Sequence, residues 1–279
     1  MSYSLGIIQG RLTPPQGRGI QFFPFENWEN EFLSTAEIGL NEIEFIFDFD
    51  RYTENPLWSE AGVTLINDLI RETGIKVNSI CADFFMRRPF FRVDEAVRME
   101  NIKILKKLIS AAKQVGARII EIPLVDNSSI KTEEEKNILI SSLKEVNEFL
   151  TEQDIMLGLE TDLPPKQFLT LLQSINHPLV KANYDSGNSS GLGYDSREEV
   201  VTLGSFIHNI HIKDRVLGGT TVPLGTGSAD FERLFQALKE IGYHGSFILQ
   251  AARGAEGNEP ETIKNYAKFV RNYINKYLA

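Results

Sequence analysis

Short apolar runs alternate with longer segments of helical periodicity along the whole chain, about eight times over. The runs Leu5–Gln9, Glu42–Phe47, Lys76–Cys81, Arg118–Ile122, Ile155–Glu160, Leu179–Asp185, Phe206–His211 and Ser246–Gln250 read as buried strands. Helices are clearest at Asp94–Val115, Thr132–Gln153, Asp230–Ile241 and Glu259–Tyr277. In the last, Ile263, Tyr266, Phe269, Val270, Tyr273 and Ile274 recur at helical spacing. Asp94, Thr132 and Asp230 stand where N-caps belong, and Gly39, Gly74, Gly116 and Gly242 follow helix-like segments. Alternating strands and helices predict a parallel sheet, and eight units predict a closed (β/α)8 TIM barrel, one domain over residues 1–279. An open doubly wound sheet would usually show a glycine-rich turn after its first strand. Here that strand runs into Gln9-Gly10-Arg11-Leu12-Thr13-Pro14-Pro15 instead.

Four of the runs end in a polar residue: Glu160, Asp185, His211 and Gln250. Parallel barrel strands all point the same way, so these four side chains are expected to converge at one mouth. Alternation along each strand puts Gly158, Asn183, Asn209, Ile248 and Ser246 on their face, and bulkier residues such as Leu159, Tyr184, Ile210 and Phe247 on the other. Two carboxylates, an imidazole and an amide oxygen meeting there would suit a divalent cation. Taken singly, Glu160 or Asp185 would read as a strand-end residue capping the next helix; taken together with His211 they read as a metal site. His177, His208 and His244 read as structural. The longer loops Gln9–Phe25, Ala82–Val93 and Lys213–Ala229 are expected at the same mouth.

Composition narrows the function. A net charge of −9 argues against a nucleic-acid partner. No apolar run is long enough to cross a membrane. The segment Met1–Ile8 lacks a basic, then apolar, secretory leader. The lone Cys81 lies in an apolar run and reads as a packed thiol of a reducing compartment. A cytoplasmic protein is expected.

Several motifs then carry a resemblance: Gly158-Leu159-Glu160, Asn183-Tyr184-Asp185-Ser186-Gly187-Asn188, His211-Ile212-Lys213-Asp214-Arg215, Val222-Pro223-Leu224-Gly225-Thr226-Gly227 and Ile241-Gly242-Tyr243-His244-Gly245. In order and spacing the chain resembles the xylose-isomerase-like TIM barrels, a superfamily of sugar isomerases and epimerases that also includes endonuclease IV. The resemblance implies a divalent ion, manganese first, with zinc, cobalt or magnesium as alternatives. It implies a small sugar or sugar phosphate as substrate. In the ketose epimerases Glu, Asp, His and Glu hold the ion and the two glutamates move protons through an enediolate. Glu160, Asp185 and His211 match the first three, with Glu160 the expected base. Gln250 stands where the family has its second Glu. Asn188 replaces a common substrate-contacting histidine, and Arg215 matches a substrate-contacting arginine. With Lys213 and Arg11 these complete the candidate substrate contacts.

The Gln250 amide can lend an oxygen to a metal but cannot act as a base near neutral pH. Single-base isomerisation is therefore expected over two-base epimerisation. The alternatives are a non-catalytic sugar-binding barrel and a polyol or cyclitol dehydratase. An abasic-site endonuclease is disfavoured, because four histidines are too few for a trinuclear zinc site. Glu44 and Glu121 read as inward barrel residues, and Asp83 as a loop cap or a lid residue over substrate. Gly218-Gly219-Thr220-Thr221 and Gly225-Thr226-Gly227 read as a phosphate cradle or as plain loop. Phe22, Phe23, Phe25, Trp28, Phe84, Phe85, Phe90 and Phe91 read as pocket walls or as an oligomer contact. A homo-oligomer is left open.

Overall fold

The computed structural model describes residues 3–279; Met1 and Ser2, the first two residues of the segment read for a leader, lie outside the described residues. Eight parallel strands close into a barrel: β1 (Leu5–Ile8), β2 (Glu42–Ile46), β3 (Lys76–Cys81), β4 (Ile119–Leu124), β5 (Met156–Thr161), β6 (Val180–Asp185), β7 (Ile207–Ile212) and, after a small hairpin, β10 (Ser246–Leu249). The hairpin pairs β8 (Asp214–Arg215) with β9 (Thr221–Val222) in the loop after β7. The circle is completed by pairing of β1 with both β2 and β10. Around it lie α1 (Trp28–Glu37), α2 (Glu60–Thr73), α3 (Phe84–Arg87), α4 (Glu95–Val115), α5 (Glu133–Lys144) and α6 (Asn147–Gln153). The outer ring continues with α7 (Pro165–Ile175), α8 (Ser186–Leu192), α9 (Ser196–Leu203), α10 (Phe231–Glu240) and α11 (Glu259–Tyr277).

The helix signals act as expected. The Asp94 carboxylate accepts from Val97 N at 2.9 Å and Asp230 from Arg233 N at 2.9 Å. Thr132 and Glu135 form a reciprocal capping box. One helical segment differs from the expectation: Thr132–Gln153 is two helices, broken at Glu145 and Val146. The break keeps Leu143, Val146 and Leu150 all fully buried, and no glycine or proline marks it.

Tertiary packing runs between the strands and the helical ring, where Leu157, Leu159, Tyr184, Ile210, Ile212, Phe247 and Leu249 are buried, as the alternation predicted. The barrel interior is a different environment. Branched aliphatics usually fill it, yet here Glu44, Glu121, Asn183, Asn209 and His211 sit there, each at most 2% exposed. This polar column is the floor of the mouth. No helix among the described residues is long and apolar enough to cross a membrane.

The loop from β1 to α1 is pinned by one acid. Glu31 of α1, 2% exposed, accepts from Gly10 N at 2.7 Å, Leu12 N at 3.1 Å and the Thr13 hydroxyl at 2.7 Å. Burial pushes its carboxyl up to about 7, against the pull of those donors. An acid whose folded pKa exceeds its unfolded value adds stability below about pH 4.5 and loses it as pH rises through about 7. Urea unfolding between about pH 5 and pH 8 should therefore show a steeper loss of stability in the parent than in Glu31→Gln, which cannot ionise. Parallel slopes would remove Glu31 from the pH response.

Candidate metal centre

Glu160, Asp185 and His211 meet at the carboxyl end of the barrel, as expected from the strand ends. Each offers one ligand atom, and those atoms all lie within 4.8 Å of one another. All three side chains are buried. Glu160 Oε2 lies 3.0 Å from His211 Nδ1, and Asp185 Oδ2 lies 3.9 Å from it. The other imidazole nitrogen, Nε2, meets Glu44 Oε1 at 2.8 Å. Glu44 in turn accepts from Asn209 Nδ2 at 3.1 Å. A carboxylate behind the imidazole fixes the ring and leaves Nδ1 turned towards the two acids, the arrangement usual for a metal-binding histidine. Burial alone would depress the His211 pKa, but Glu44 and Glu160 together hold it well above its ordinary value.

The acids are positioned as tightly. Asn183 Nδ2 donates to Glu160 Oε2 at 2.7 Å, and Asn188 Nδ2 donates to Glu160 Oε1 at 2.6 Å. Asp185 divides its two oxygens. Its Oδ1 caps α8 by accepting from Gly187 N and Asn188 N, both at 2.8 Å, while Oδ2 faces the site. The donor set of two carboxylates and an imidazole, held from behind by Glu44, Asn183 and Asn188, suits a divalent cation.

Gln250 follows β10 and reaches the same mouth, where its Oε1 lies 2.7 Å from Lys213 Nζ. Lys213 also reaches Asp185 Oδ2 at 3.1 Å. Arg215 bonds Asn188 Oδ1 at 3.1 Å and Gly219 O at 2.8 Å. Glu160, Asn188, Lys213, Arg215, Gln250 and Arg11 all border one cavity of about 440 Å³, completed by loop residues Ile20, Gln21, Met86, Val125, Asp126, Thr220 and Thr221. That volume holds a small sugar. Arg11 borders the cavity with its guanidinium committed elsewhere: it donates to Ala251 O at 3.0 Å, to Ile20 O and to Gln21 Oε1 at 3.4 Å. Burial, then the neighbouring Arg253, lowers its pKa to about 9.

Three expectations need correction or completion. The Gly225-Thr226-Gly227 cradle is closed to a phosphate, because Gly225 N and Gly227 N both donate to Asp214 Oδ2 at 2.9 Å. Gly218 N and Gly219 N are likewise spent on Gly191 O and Val216 O. Seven of the eight loop aromatics are neither cavity walls nor an exposed contact: Phe22, Phe23, Trp28, Phe84, Phe85, Phe90 and Phe91 are buried, most of them packed on one another or on Phe45 and Phe47, while Phe25 is half-buried against Phe23 beneath Arg51. Asp83 is tied to Gln21 Nε2 at 2.6 Å and to the Cys81 thiol at 3.4 Å, and does not cap α3. Burial, with help from Asp48 and Glu160, raises its carboxyl to about 6. Cys81 is buried, as read, and Glu121 is too, its two oxygens without a hydrogen-bond partner among the described residues and its pKa raised by burial and by Glu160.

His208 and His244 line a separate cavity with Ser4 and Ser246 at the opposite end of the strands, and His177 lies outside both. Ile20, Gln21, Met86, Thr220 and Thr221 come from the three long loops expected at this mouth, whereas Val125 and Asp126, which follow β4, were not foreseen. The support given by Asn183 was foreshadowed by its parity with Asp185.

The comparisons with known proteins agree with this geometry. The family model described as xylose isomerase-like TIM barrel matches residues 32–273. L-ribulose-5-phosphate 3-epimerase UlaE of Shigella boydii is 29% identical over 249 residues, covering 86% of this chain and 87% of that protein. UlaE of Escherichia coli O139:H28 is 30% identical over 234 residues, covering 81% and 82%. Among solved structures, an L-ribulose 3-epimerase superposes with a TM-score of 0.79 at 17% identity, covering 99% of this chain and 96% of that one. D-allulose 3-epimerase from Methylomonas sp., in complex with D-allulose, gives 0.76 at 16% identity, with 98% of each chain covered. With its closed barrel, its strand-end acids and histidine, and a family match across most of its length, this chain belongs to the xylose isomerase-like TIM barrel family.

Proposed function

We propose that this protein is a divalent-metal-dependent isomerase or epimerase of a small sugar or sugar phosphate, with Glu160 as the base. The observation that carries this reading is the buried Glu160–Asp185–His211 cluster, its imidazole steadied by Glu44. Glu160, Asp185 and His211 would hold the ion, with manganese the first candidate. When bound, it supplies a Lewis acid that polarises a substrate carbonyl and tolerates negative charge on its oxygen.

Glu160 is the acid placed to move a proton. It borders the cavity, and Asn183 and Asn188 aim its carboxylate without neutralising it. Removal of a proton from the carbon beside a carbonyl by a fixed carboxylate is general-base catalysis. Arg215 and Lys213 supply positive charge on the cavity wall where negative charge would develop. Asn188 links the two sides, donating to Glu160 while accepting from Arg215. The named relatives are 3-epimerases of L-ribulose 5-phosphate, L-ribulose and D-allulose, which supports a ketose or ketose phosphate as the substrate class. The dehydratase and non-catalytic readings gain no support from them.

The test is proton exchange. Manganese-loaded protein incubated in D₂O with ketopentoses, and with their 5-phosphates, should place deuterium beside the carbonyl, read by NMR. Label at C3 with an inverted centre marks epimerisation; label at C1 with aldose formed marks isomerisation. No exchange in either series, with metal bound, would sink the proposal.

A further inference from the structure

The Lys213 ammonium is built into the mouth from several directions. Nζ lies 2.7 Å from Gln250 Oε1, 3.1 Å from Asp185 Oδ2 and 3.5 Å from Asn188 Oδ1. Its stem crosses Gly187, where an added Cβ would come within 2.5 Å of Cγ and 2.7 Å of Cδ, so glycine there makes room for the lysine. The Ser186 hydroxyl brackets the backbone, donating to Lys213 O at 2.7 Å and accepting from Lys213 N at 3.0 Å. Gln250 is fixed as well: it is 5% exposed, and its backbone N donates to Ile212 O at 3.1 Å.

Gln250 has one side-chain oxygen, and at 2.7 Å that oxygen makes a charge-assisted hydrogen bond to an ammonium. Turning it to a divalent ion would strip Lys213 of its shortest contact. A neutral amide also differs from a carboxylate at this place: it orients the ammonium without cancelling its charge. Arg215, bonded to Asn188 Oδ1, stands on the same wall.

Resting on the metal-dependent reading above, we propose that Gln250 is not a metal ligand but the rest that holds Lys213. The ion is then gripped by Glu160, Asp185 and His211 alone, and the Lys213 ammonium meets a negatively charged oxygen of the reacting substrate. Lys213 thereby acts in catalysis, and Gln250 is a positioning residue.

Two titrations by calorimetry test this, with Mn²⁺ alone and then with oxalate, a planar dianion resembling an enediolate, on the manganese-loaded protein. Gln250→Ala and the similarly sized Gln250→Met should bind Mn²⁺ within about a hundredfold of the parent, the range of a residue that reaches a ligand through another. Lys213→Met should bind oxalate about tenfold or more weakly, the loss expected for one charged hydrogen bond. If both Gln250 variants unfold at the parent's temperature yet lose more than about a hundredfold in Mn²⁺ affinity, Gln250 is a ligand and the inference is wrong. Unchanged oxalate affinity in Lys213→Met would overturn the role given to the ammonium. A parent protein that binds no Mn²⁺ would overturn the metal-dependent reading itself, a different failure from either of these.

Discussion

Replacing Glu160 with glutamine should lower kcat by about 10³-fold, with KM for the sugar changed far less. The base is lost outright, and general acid–base residues usually contribute about 10²- to 10⁴-fold. The positioning worsens the loss. Both Glu160 oxygens accept from amide NH₂ groups, Asn188 at 2.6 Å and Asn183 at 2.7 Å. A glutamine has one acceptor oxygen, so its own NH₂ must face one of those donors. The loss should appear in kcat and in the rate of deuterium exchange together, because both need the same proton transfer. A variant within about tenfold of the parent would move the base elsewhere, with Asp83 the next acid to examine.

His211→Ala should cost at least about a hundredfold in Mn²⁺ affinity and about 3 kcal/mol in stability. The first loss follows from removing the nitrogen that faces Glu160 and Asp185. The second has a separate cause. Glu44 is fully buried, and its 2.8 Å contact with His211 Nε2 would vanish, leaving Asn209 as its hydrogen-bond donor among the described residues. Removing one partner of a buried charged pair leaves the other uncompensated in a low-dielectric interior. Urea unfolding and metal titration of the same preparation separate the two effects. Glu44→Gln should weaken the metal less than His211→Ala, since an amide oxygen still accepts from Nε2–H.

Much of this was written in the chain. Strand and helix order was legible because apolar periodicity changes abruptly between the runs and the amphipathic segments, and because Asp94, Thr132 and Asp230 announce their helices. Strand-end placement was enough to bring Glu160, Asp185 and His211 together, since parallel strands in a closed barrel leave their ends at one mouth. What escaped was set by tertiary contacts that local periodicity does not carry. The 167-residue separation of Glu44 and His211 hides their contact. The choice between phosphate cradle and plain loop stayed open because a glycine-rich stretch looks the same whether its amides face a ligand or a buried Asp214. The aromatics failed because a loop of phenylalanines gives no sign of whether it stands open or folds onto its own core. The break at Val146 was invisible for want of a helix-breaking residue.

The most direct test of the metal centre is elemental analysis of the purified protein after dialysis against Mn²⁺ and gel filtration. About one equivalent of divalent metal per chain, retained through the column, is the expected result for a buried site of two carboxylates and an imidazole. A chain that emerges with no manganese, zinc, cobalt, iron or magnesium would contradict it, and the Glu160–Asp185–His211 cluster would then stand as a buried polar network only.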